Sequence, residues 1–159
     1  MISINKNIVQ LAILYFLVVL TIVFRYSVES TGYTSPDSKF YLKTASNVLD
    51  GKGYISPNIY PFDDEAPQQF YGIWPIGYPT FIALISYCTS LDVYVASKIV
   101  NLIFLALTFT LLYSWYGKNS LLPACYFCSF NMLEIYSYTW SEGSFIFFIL
   151  LLLYALEKI

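Results

Sequence analysis

The sequence predicts an all-α membrane protein with about four transmembrane helices, five being the alternative, and a large external first loop that carries interfacial helices. Three observations lead there. Of 159 residues, 58% are hydrophobic and only 11% charged, against about a quarter charged in an average globular chain. The mean hydropathy is +0.62. Apolar blocks of spanning or near-spanning length are separated by polar segments, so lipid is the solvent for most of the chain.

The first span is assigned to residues 8–25. Its apolar run, Ile8 to Phe24, lies between Lys6 and Arg25, and no small-residue cleavage pattern follows, so it reads as an uncleaved anchor and not as a signal peptide. Residues 26–92 form the external loop. Nine charged residues fall between Tyr26 and Trp74, among abundant Gly, Pro, Ser and Asn. Within the loop a surface helix is expected over 36–50. Ser35 is its cap and Pro36 its first residue, and Gly51 stops it. A second surface helix is expected over 76–91, led by Pro75, Gly77 and Pro79. Further spans are assigned to 93–116, 121–138 and 144–157, joined by short polar connectors, and the whole chain, 1–159, is taken as a single membrane module.

Whether 75–91 crosses the bilayer decides between four and five spans. With that block on the surface, Lys6, Lys118 and Lys158 share one face, and the large loop and Glu142 share the other. The excess of basic residues in cytoplasmic connectors favours this arrangement. It places the amino terminus in the cytoplasm and the chain in the cytoplasmic (inner) membrane as a multi-pass protein.

Composition removes several classes of function. A net charge of −2 without a basic run excludes nucleic-acid binding, which needs clustered Lys and Arg. The absence of histidine removes His-based nucleophile systems and His-ligated metals, so acid or base chemistry falls to carboxylates. Cys125 and Cys128 make a C-x-x-C inside an apolar stretch and, with Cys88, read as small apolar core or lipid-facing residues.

Two ionisable residues, Lys98 and Glu134, sit inside apolar blocks and need partners. At similar depths on neighbouring helices they are expected to pair with each other; the alternative is that Lys98 meets a phosphate. Asp37, in the first turn of the 36–50 helix, is favoured as an anion by the helix dipole, which suits a proton acceptor or a metal ligand. A helix-stabilising role is the plain alternative. Glu142 immediately precedes the last span and faces the same compartment as Asp37. Asp63, Asp64 and Glu65 are the candidate ligands for a divalent metal ion, or simply a solvated acidic run.

The order of these features resembles the amino-terminal portion of the GT-C type integral-membrane glycosyltransferases, the group of dolichyl-phosphate-mannose-protein mannosyltransferase-like and aminoarabinose transferase-like enzymes. The likeness is carried by Pro36-Asp37-Ser38-Lys39-Phe40-Tyr41, Asp50-Gly51-Lys52-Gly53-Tyr54, Trp74-Pro75-Ile76-Gly77-Tyr78-Pro79, Ala96-Ser97-Lys98-Ile99-Val100-Asn101 and Trp140-Ser141-Glu142, in that order. Some members carry a second acid directly after the aspartate, where Ser38 stands here, and Trp74 replaces a proline of the family pattern.

The resemblance implies transfer of a sugar from a polyprenyl-phosphate-linked donor to a hydroxyl on a lipid, glycan or protein acceptor at the outer membrane face. Asp37 and Glu142 are the implied catalytic acids, and Lys98, Tyr41 and Tyr78 the substrate-binding candidates. Because such enzymes continue through further spans, the chain is expected to be an incomplete enzyme whose partner is a missing carboxyl-terminal half. The rival reading is a non-catalytic membrane scaffold or truncated remnant of such an enzyme. A transporter, which would place broken helices and polar groups at mid-span, finds little support beyond Pro123 and Asn131.

Overall fold

The computed structural model describes residues 6–57, 67–72 and 74–159. Its elements are α1 (Lys6–Val28), α2 (Pro36–Leu49), β1 (Ile55–Pro57), β2 (Gln68–Phe70), α3 (Gly77–Thr89), α4 (Val93–Tyr116), α5 (Leu121–Ala124), α6 (Phe130–Ser137) and α7 (Glu142–Glu157), with 3₁₀ turns at Gly117–Asn119 and Cys125–Cys128. The chain divides into two compact units. One holds residues 1–32, 102–137 and 142–159; the other holds 33–101 and 138–141.

Among the described residues two helices are long and apolar enough to cross a membrane: α1, of 23 residues, and α4 with the turn that follows it, Val93–Asn119. At about 1.5 Å per residue α1 rises roughly 34 Å, enough for a hydrocarbon core of about 30 Å. The exposed apolar side chains of α1, among them Ile13, Phe16, Leu17, Leu20 and Phe24, suit contact with lipid. A third span exists only if α6 and α7, bent by 115° at their junction, are taken together.

The apolar block over 121–138 differs from the continuous span expected. It runs as one α-turn (α5), a 3₁₀ turn and the eight-residue α6, broken where Ser129 is extended (φ −66, ψ 151). Pro123 cannot donate a helical hydrogen bond, and apolarity alone does not hold a helix across such a break.

The first unit is packed around Leu11, Val18 and Ile22 of α1, Leu105, Phe109 and Leu112 of α4, and Phe127 and Tyr136. Polar groups stitch it. Tyr15 Oη donates to the Leu102 carbonyl (3.3 Å) and Tyr26 Oη to the Tyr136 carbonyl (3.0 Å). Arg25 Nε donates to Ser137 Oγ (3.0 Å), and its guanidinium pairs with the Glu134 carboxylate. The Lys98–Glu134 pair expected from the sequence is therefore corrected: the cation opposite Glu134 is Arg25, delivered by α1, which packs on α6.

In the second unit, α2 starts and stops on local chemistry. Ser35 accepts from the Ser38 amide (3.2 Å), and Ser38 Oγ accepts from the Ser35 amide (3.0 Å), a reciprocal cap with Pro36 as the first helical residue. At the far end Gly51 is left-handed (φ +72), and the Gly51 and Lys52 amides donate back to the Val48 and Asn47 carbonyls (3.1 and 2.9 Å), the six-residue closure that a glycine permits. Next comes a short antiparallel ribbon, which composition did not announce: Ile55 faces Phe70, Ser56 faces Gln69 and Pro57 faces Gln68. Asn47 Nδ2 ties it to α2 through the Ile55 carbonyl (2.8 Å). Helix α3, packed on α2, has 13 residues and rises about 20 Å. Asp92 caps α4, its carboxylate accepting from the Tyr94 amide (2.8 Å).

Candidate functional site

The polar and aromatic residues of the second unit gather around the start of α2. Asp37 lies in its first turn, half-buried, and its carboxylate has no hydrogen bond or ion pair among the described residues. One turn on, Tyr41 is buried, 2% exposed, with its ring edge-to-face on Tyr78 (5.0 Å) and on Tyr71 (6.2 Å), and tilted against Trp74 (6.5 Å). Its hydroxyl shares a 2.9 Å hydrogen bond with Ser141 Oγ.

Tyr71 is the unusual member. Its phenol is buried (4% exposed) and has no hydrogen-bond partner among the described residues, as is also true of Thr44 Oγ1 on α2. Burial first, then Tyr41 and the Asp37 carboxylate, push the Tyr71 phenol well above its ordinary value. The hydroxyl stays protonated and able to donate throughout the physiological range. It also lines a cavity of about 20 Å³ with Phe40, Ser56, Gln69 and Trp74, room for about one water molecule.

Behind this front lies a buried polar layer. Tyr78 Oη donates to Asn101 Oδ1 (2.7 Å), and Asn101 Nδ2 donates to the Tyr138 carbonyl (2.6 Å). Ser97 and Thr139 share a hydroxyl hydrogen bond (2.8 Å). Tyr138 stacks on Trp140 (4.4 Å, 11°), and Trp140 Nε1 donates to Ser35 Oγ (2.8 Å), the oxygen that also caps α2. Each residue of the Tyr138–Ser141 connector is thus hydrogen-bonded within this unit.

Lys98 is buried as well, 6% exposed. Its Nζ donates to the Tyr33 carbonyl (3.1 Å) and lies 5.0 Å from the Tyr94 ring centroid. Tyr33 has a left-handed backbone (φ +56) directly after Gly32 (φ +58). This conformation is costly for a residue with a Cβ, and the ammonium bond and the edge contact of the Tyr33 ring on Tyr138 (5.1 Å) hold it at the entrance to α2.

The residues singled out from the sequence therefore divide. Asp37 is partly exposed and unpaired among the described residues, while Tyr41, Tyr78 and Lys98 are buried with their polar atoms bonded inside the unit. Glu142 is exposed at the first residue of α7, in the other unit. Asp63, Asp64 and Glu65 lie outside the described residues. Among the described residues no three Cys, Asp or Glu side chains gather as a metal set would. Tyr71 was not distinguished by sequence reasoning, and Trp140 and Asn101 entered it only as members of motifs. Their signal is positional: each becomes notable only through a partner distant along the chain.

Comparison of the chain with family models, with curated proteins and with solved structures gives no match.

Proposed function

We propose that the chain is part of a membrane glycosyltransferase that moves a sugar from a polyprenyl-phosphate donor to an acceptor hydroxyl at the outer face of the inner membrane. The observation that carries this reading is the Asp37 carboxylate, set half-buried at a helix start beside aromatic side chains; among the described residues neither it nor the nearby Tyr71 phenol has a hydrogen-bond partner. A carboxylate in that state is available to take a proton.

In the proposed reaction the acceptor hydroxyl gives its proton to an Asp37 carboxylate oxygen as its own oxygen bonds to the anomeric carbon. The bond from that carbon to the phosphate oxygen breaks, and the polyprenyl phosphate departs with the electron pair. Trp74, 37% exposed, offers a face on which a sugar ring can rest. Glu142 is the second acid that the resemblance supplies. The surface placement of α2 and α3 belongs to the same proposal, and it is supported by the shortness of α3.

A second reading, a non-catalytic scaffold, is favoured by one specific observation. Tyr41, Tyr78 and Lys98 spend their polar atoms on internal bonds, as packing residues do. One assay separates the two readings: sugar transfer from polyprenyl-phosphate donors in membranes expressing the full coding sequence, native against Asp37→Asn. Loss of a general base should cost about 10²–10⁴-fold. Equal rates for the two forms would favour the scaffold.

A further inference from the structure

The stretch joining α4 to α6 contains a feature that the glycosyltransferase reading does not use. Cys125 and Cys128 bound a 3₁₀ turn, and Cys125 has the dihedrals of one (φ −59, ψ −22). With three residues per turn and about 2.0 Å of rise per residue, side chains three apart eclipse, and their Cα atoms stand about 6 Å apart. A disulfide closes over Cα separations of about 4.4–6.8 Å.

Both thiols are free and exposed; of the two placements offered by the sequence, core or lipid-facing, only the core one is set aside. Phe127, between them, is buried against Phe109 (5.5 Å) and Tyr136 (6.0 Å). That anchor holds the turn by its aromatic ring and leaves both flanking cysteines exposed. Among the described residues no third ligand joins them, so the pair does not amount to a metal set.

We propose that Cys125 and Cys128 are a reversible dithiol site that closes to an intramolecular disulfide by exchange with a low-molecular-weight disulfide such as oxidised glutathione. The thiolate of one cysteine attacks a glutathione disulfide sulfur, and one glutathione thiolate leaves. The second cysteine gives its proton to solvent, attacks the protein sulfur of the mixed disulfide and expels the other glutathione thiolate. Two protein thiols are oxidised and one glutathione disulfide is reduced to two glutathiones. Partial desolvation of its sulfur, and then the neighbouring Cys125, raise the Cys128 thiol above its ordinary value. Either cysteine can start the exchange, since both are exposed.

The test is redox titration of the purified full chain in detergent with glutathione and its disulfide, followed by maleimide labelling and peptide mass measurement, with free dithiothreitol as a control for complete oxidation. The expected result is a 125–128 peptide lighter by two hydrogens and resistant to maleimide until it is reduced. Cys88, on α3, takes at most a glutathione adduct. In Cys125→Ser, Cys128 should accumulate as a glutathione adduct that no longer resolves. The proposal is overturned if both thiols still react with maleimide when dithiothreitol is fully oxidised, or if the native peptide carries two glutathiones. Neither result depends on glycosyl transfer.

Discussion

Replacing Asn101 with leucine is the sharpest test of the polar layer behind the site. Asn101 is 1% exposed and bridges two buried groups, accepting from Tyr78 Oη at 2.7 Å and donating to the Tyr138 carbonyl at 2.6 Å. Leucine matches its bulk and removes both bonds. A buried polar group stripped of its partner costs about 1–3 kcal/mol, so two such groups give about 2–6 kcal/mol. Tyr78→Phe alone should cost about 1–3 kcal/mol by the same rule. In the double variant the phenol is gone and only the Tyr138 carbonyl is left without its donor, so the two losses should combine to less than their sum. The assay is equilibrium unfolding of the four proteins in mixed detergent. Losses that add to within about 0.5 kcal/mol, the behaviour of sites that do not interact, would refute the bridge.

Three further outcomes follow from contacts already described. Arg25→Met removes the partner of Glu134 and a donor to Ser137 from a pair whose side chains are 16% and 29% exposed; the loss should be about 1–3 kcal/mol, between the values for surface and buried pairs, and Glu134→Gln in that background should recover part of it in the same unfolding assay. Gly143→Ala would place a Cβ 3.0 Å from the Tyr136 ring, so a loss of about 1–3 kcal/mol from overpacking is expected, with the ring's near-ultraviolet signal altered. The raised Tyr71 phenol sets a sign for alkaline behaviour. Above its ordinary value of 10.0 the unfolded chain releases the proton that the folded chain keeps, so stability falls as pH rises past that point; unfolding measured across that range should slope less steeply in Tyr71→Phe.

The parts of this fold that were legible in the sequence are those fixed by local chemistry. Ser35, Pro36 and Gly51 announce both ends of α2, since a cap, a preset φ and a left-handed exit act on their own few residues. The apolar runs of α1 and α4 are long enough that no other element fits them. What was not legible depends on partners. Glu134 was matched with Lys98 by expected depth, and only the packing of α1 on α6 selects Arg25. The 121–138 block is as apolar as a span should be, but a hydropathy window cannot register a turn that tightens to 3₁₀ and opens at Ser129. The pairing of Ile55 with Phe70 brings together two short segments too polar to read as strands.

The site shows the same division. Asp37 was singled out for its type and its place at a helix start, and Ser35 and Pro36 for theirs, whereas the distant contacts that Trp140 and Ser141 make could not be read from their motif. Trp140 reaches Ser35 across 105 residues of chain and Ser141 reaches Tyr41 across 100, while Thr139 and Tyr138 engage Ser97 and Asn101. Four consecutive residues with four different partners set a register, because a slip by one position would mispair all of them at once. In a chain so apolar, hydrophobic burial favours many packings about equally and lipid contact discriminates among them weakly. Directional hydrogen bonds do discriminate, and one of these four, from Trp140, reaches the oxygen that caps α2, two residues before Asp37.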